Sequence, residues 1–112
     1  MKYLMFIYQP KDFDAKALTE SEYKAVAEQY AAVTATPNVK PGLPAGLPKD
    51  AVTVRVQNGE AVTAQGTYQE HAVGAYLEFE ADTIDAAIEL AARIPAARLG
   101  GAVEVRPAQK YW

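Results

Sequence analysis

The sequence predicts a single α+β domain, with a four-stranded, antiparallel-type sheet and two helices on one of its faces. Three observations predict it: a first strand that is apolar on both sides, two amphipathic helical stretches that follow capping residues, and short alternating runs set off by turn signals. At 112 residues the chain has the length of one domain, 1–112, with no room for a second core.

The elements follow in order. In Lys2 to Tyr8 both alternating sets are apolar, Tyr3, Met5 and Ile7 on one side and Leu4, Phe6 and Tyr8 on the other, so the strand must be covered on both faces. Thr19-Glu20-Ser21-Glu22 is a capping-box pattern, and Tyr23, Val26, Ala27, Tyr30 and either Val33 or Thr34 then recur at helical spacing. A helix is expected from Thr19 to Ala35. Between Thr36 and Lys49 stand four of the seven prolines, which predict a loop with room for a short edge strand. Such a stretch is either a plain connector or a lid over a site.

In "AVTVRVQNGEAVTA", Val52, Val54 and Val56 alternate with polar residues and Asn58-Gly59 offers a type I′ turn, so a hairpin with one apolar face is expected. From Val73 the alternation resumes, with Val73, Ala75, Leu77 and Phe79 on one face. Asp82 or Thr83 can cap a second helix with a buried stripe of Ile84, Ala87, Ile88 and Ala91, and Pro95 stops it. "AVEVR" supplies a last strand, with Val103 and Val105 facing one way. The order matches a ferredoxin-like split βαβ sandwich. Crossovers through the helices predict that the first strand and the Val73 strand run parallel at the centre.

Two helices can cover only one face of such a sheet, and the doubly apolar first strand needs cover on the other. A homodimer with the open sheet faces packed together supplies it. Tyr111 and Trp112 at the aromatic end are expected to dock on a subunit.

Composition excludes several function classes. The net charge is -3 with basic residues dispersed, so no stripe exists to follow a phosphate backbone and nucleic acid is not an expected partner. With no cysteine and one histidine, thiolate chemistry is excluded and no metal site is expected. Phosphate-loop, nucleophile-elbow and dinucleotide fingerprints are missing, and no cofactor is expected. The apolar start "MKYLMFIY" is too short for a signal peptide or a membrane span, which points to a cytoplasmic protein with no membrane partner.

The segments "MKYLMFIY", "TVRVQNGE", "GTYQE" and "GAYLEFEADTIDAAIELAARIPAARLGGAVEVRP" resemble the YCII-related proteins, in particular their DGPF-domain branch. The resemblance spans most of the chain outside the proline-rich loop. It implies a small bacterial protein with a dimeric α/β-barrel fold, in a family whose biochemical role is largely unassigned. Where the branch carries Asp-Gly-Pro-Phe, this chain reads Gln65-Gly66-Thr67-Tyr68, and a glutamine amide is not a general base at neutral pH. The shorter YCII proteins resemble an enzyme through a His and Asp pair with the histidine on the first helix. Thr19 to Ala35 contains none.

The candidate site is read from the remaining residues. His71, the lone histidine, is the candidate catalytic proton carrier. If its strand starts early, His71 shares the parity of Val73, Ala75 and Leu77 and points towards the helices as a core-edge residue; if the segment is a turn, it is free to face a groove. Arg55, Tyr68 and Tyr76 are the candidate substrate-binding residues. Arg55, Thr53, Tyr76, Glu78, Glu104 and Arg106 share the polar parity of their strands. A guanidinium with tyrosine hydroxyls suits a small organic acid or phenol in a cleft by the open sheet face; the competing reading is a set of cross-strand pairs at the rim of a dimer interface. Two function classes follow: a small-molecule-binding protein with cofactor-independent acid–base chemistry, and a non-catalytic binding or regulatory module acting through protein contacts.

Overall fold

The computed structural model describes residues 1–111; Trp112, and with it the expected docking of that ring, lies outside the described residues. The elements are β1 (Lys2–Pro10), α1 (Glu20–Thr34), β2 (Val39–Pro41), β3 (Val52–Gln57), β4 (Glu60–Gln65), β5 (His71–Glu80), α2 (Ile84–Ala92) and β6 (Ala102–Pro107). Strands β2, β5, β1 and β6 form a four-stranded sheet in that order, and β3 and β4 form a separate two-stranded sheet. This mixed α+β arrangement is compatible with the ferredoxin-like expectation.

Strands β1 and β5 are central neighbours, as expected, but they run antiparallel, not parallel. The reason is topological. Helix α1 carries the chain from β1 not to β5 but to the edge strand β2, and α2 carries it from β5 to β6 on the far side of β1. Each crossover therefore joins strands that are parallel and one apart, with an antiparallel strand between them. The edge strand β2 comes from the proline-rich segment, where Pro41 is tolerated because an edge strand leaves one side unpaired.

The core lies between the sheet and the two helices. Tyr3, Met5 and Ile7 of β1 are buried against Val33 of α1, Ala87, Leu90 and Ala91 of α2, and Ile94 and Ala96 beyond it. The capping box is present: the Thr19 hydroxyl accepts from the Glu22 backbone N–H at 3.2 Å, and the Thr19 N–H donates to Glu22 Oε1 at 2.9 Å. Thr83, not Asp82, caps α2.

Both helical stripes differ from expectation. In α2 the buried set is Ala87, Leu90 and Ala91, while Ile84 and Ile88 are exposed, because the helix turns its small alanines and Leu90 towards the sheet. In α1 only Val33 is buried; Val26 and Tyr30 are half-buried, and Tyr23 and Ala27 are exposed. The upper part of that stripe faces a cavity and not packed core.

A β-bulge lies between Ile7 and Tyr8: Ile7 pairs with Ala75 but Tyr8 pairs with Val73, which leaves Gly74 as the extra residue. The bulge reverses the parity of the beginning of β5. Val73 therefore leaves the face of Ala75, Leu77 and Phe79 and lies, 41% exposed, on the side of Tyr8. His71 lies two residues further along the strand, opposite Pro10, so the parity that aims it at the helices does not hold.

Candidate functional site

Two adjoining cavities lie at the β1 C-terminal end, on the helix side of the sheet. The larger, of about 670 Å³, has Ile7, Gln9 and Phe13 at its floor, Tyr30 from α1 on one side and the segment Pro44 to Pro48 across it. The smaller, of about 220 Å³, continues along the stripe of α1 formed by Tyr23, Val26, Ala27 and Tyr30. Gln9, Phe13, Ala15 and Tyr30 border both.

The proline-rich segment is a strap anchored by its backbone. The Gly42 and Ala45 N–H groups donate to the carbonyls of Tyr76 and Gly74 at 2.9 and 2.8 Å, extending the β2–β5 edge towards the bulge. At its far end the Gln65 amide donates to the Lys49 carbonyl at 2.8 Å, and the Gly66 N–H donates to the Ala51 carbonyl at 2.7 Å. Four prolines give the strap little freedom to collapse into the space below it.

Tyr30 supplies the polar feature of this apolar space. Burial pushes its phenol above the ordinary tyrosine value, while hydrogen bonds with the Gln9 side chain and the Ala96 backbone and the charge of Arg98 pull the other way. Arg98 is held in place by donating to the Gln29 side-chain oxygen. A phenol in that state stays protonated at neutral pH and offers a donor and an acceptor beside an amide that offers both. Lys16, Asp14 and Asp50 stand at the rim, with Asp14 accepting from the Lys16 N–H at 2.9 Å.

No protein-family model matches this chain, and no curated protein matches it.

The residues singled out from sequence are dispersed. Arg55 on β3 and Tyr68 beyond β4 come together, with the guanidinium carbon 5.8 Å from the ring centroid, and both are exposed. Tyr76 lies elsewhere, on the open face, with its ring over Gly42 of the strap. His71 is exposed, and its Nε2 is 3.3 Å from the Gly100 carbonyl oxygen. Glu70 faces Lys11, at 3.0 Å, and not its neighbour His71. On the open face Glu78 lies 3.6 Å from Lys2 and 4.0 Å from Lys40, so this charge is engaged in strand-to-strand pairing. Among the described residues no group of three or more His, Asp or Glu side chains is placed to hold a metal, and no helix is long and apolar enough to cross a membrane.

Sequence reasoning missed Tyr30, Gln9 and Phe13 as a group. One signal was present: Gln9 continues the buried parity of Tyr3, Met5 and Ile7, and a polar amide on that face needs a partner. Tyr30 looked like ordinary helix packing, and nothing local shows that the stripe faces empty space.

Proposed function

We propose that this protein is a YCII-related homodimer that binds a small organic molecule under the proline strap, in the cavity bordered by Gln9 and Tyr30. The observation that carries the reading is a mostly apolar space of about 670 Å³, a size typical of small-ligand pockets, bordered by the half-buried Tyr30 phenol and the Gln9 amide. The cleft expected by the open sheet face is thereby moved to the helix side, where the volume is. Apolar walls suit the ring of a small aromatic molecule, and at the rim Lys16 offers an ammonium to an acidic substituent, against the neighbouring carboxylates of Asp14 and Asp50.

Binding is favoured over catalysis. Proton transfer works best from a group whose pKa lies near the working pH, and the phenol of Tyr30 is shifted away from it. His71, exposed and outside both cavities, acts on no ligand bound there.

The homodimer is supported by the open sheet face. Leu4, Phe6 and Tyr8 form its central row, with Val73 and Tyr76 beside them, 41% and 44% exposed. Packing two such faces together makes the dimeric α/β barrel of the proposed family.

Thermal denaturation with and without benzoate and 4-hydroxybenzoate tests the ligand site. Wild type should gain stability with one of them, and Tyr30→Phe and Ala15→Phe, which fills the wall between the cavities, should lose that gain. Equal gains in all three proteins would place the ligand elsewhere, and no gain in wild type would reject the acid class.

A further inference from the structure

We propose that the β3–β4 hairpin is an arm that packs its valine face onto a second copy of this chain. The inference rests on the homodimer reading and adds a specific element to the contact. Antiparallel partners share a face, so the pairs Val52 with Gln65, Val54 with Thr63 and Val56 with Ala61 lie on one side of the hairpin. Val52, Val54 and Val56 are 59%, 59% and 71% exposed, and Val62 on the other side is 45% exposed. A row of β-branched side chains suits burial against another layer, and among the described residues no layer covers this one, as its exposure shows. A lone two-stranded sheet is at best marginally stable in water. The bonds at its base join its own two ends, where the Gly66 N–H meets the Ala51 carbonyl, the Thr53 hydroxyl meets the Gly66 carbonyl at 2.7 Å, and Gln65 meets Lys49.

The surface area identifies the occupant. The chain exposes 8090 Å², whereas a compact monomer of 12.1 kDa exposes about 6,000 Å². Its radius of gyration is 15.8 Å against about 13 Å for a compact chain of this length, with extents of 45 × 42 × 19 Å. An excess of about 2,000 Å² per chain is beyond what a transient contact covers and falls in the range of obligate homodimers. The arm reaches the ligand site as well, since Ala51 and Thr67 at its base line the larger cavity.

Sedimentation equilibrium over a dilution series, on wild type, a Val54→Lys/Val56→Lys double variant and an Ile88→Lys control on α2, tests the arm. Wild type and the control should be dimers, and the double variant should dissociate at about tenfold higher concentration or more. A double variant as tight as wild type would overturn the arm and leave the homodimer standing; a wild type that is monomeric throughout would overturn both. Should the double variant not fold, hydrogen exchange on wild type decides. β3 and β4 amides that lose protection on dilution below the dissociation constant support the arm, and amides indifferent to dilution reject it.

Discussion

The ring of Tyr76 lies across Gly42 so closely that a Cβ at that glycine would overlap it. The contact fastens the start of the strap to β5 and explains why Tyr76, a candidate for ligand contact, is occupied by the protein itself. Gly42→Ala should therefore destabilise the fold by about 1–3 kcal/mol, as overpacking does. Denaturant titration measures the loss, and faster exchange of the Ala45 amide would show that the strap is the part that loosens. An alanine accepted without either effect would mean that the Tyr76 ring moves freely aside.

Acid should weaken α1 through one residue. Hydrogen bonds from the Thr19 backbone N–H and then its hydroxyl hold the Glu22 carboxyl below its ordinary value of 4.5. A depressed folded-state pKa gives a contribution present above the unfolded value and lost as pH falls through the folded one. In Glu22→Gln, which keeps the capping geometry without the titration, this part of the acid dependence should vanish. Thr19→Ala should cost about 1 kcal/mol at neutral pH.

Alkali should act through Tyr30. Its folded-state pKa is raised, so its contribution is whole below the ordinary value of 10.0 and is lost as pH rises through the folded value. Ultraviolet absorbance should show one phenol ionising late, and Tyr30→Phe should remove that late step. The same substitution should cost about 1 kcal/mol, because the Gln9 amide loses a partner in a half-buried site.

His71→Ala should change stability by no more than about 0.5 kcal/mol, since the side chain is exposed and its one side-chain hydrogen bond among the described residues is with the Gly100 carbonyl. Under the strap-site proposal the affinity for a small aromatic acid should be unchanged as well. A large loss of affinity in this variant would return the ligand to the open-face side.

A double-mutant cycle on Arg55→Ala and Tyr68→Phe or Tyr68→Leu should give a coupling of about 0.5–1 kcal/mol for the leucine change and less for phenylalanine. Coupling that appears only at concentrations where the protein is dimeric would tie this pair to the arm.

The sequence by itself determined the local features. The capping box at Thr19 and Glu22, the turn at Asn58-Gly59 with positive φ at both residues, the apolar strand β1 and the stop at Pro95 all depend on neighbours within a few positions. Only the tertiary structure decided what depends on distant partners. The parity of His71 turns on a bulge at Gly74; a glycine inside a strand is a sign that one can form, but whether the register slips there is decided only where β1 and β5 meet. The antiparallel centre follows from where α1 delivers the chain, and the exile of the hairpin from the main sheet follows from β2 taking the edge. The cavity is hidden for the same reason: an apolar stripe on α1 reads alike whether it meets packed side chains or the space below the strap, and only the placement of the strap distinguishes them.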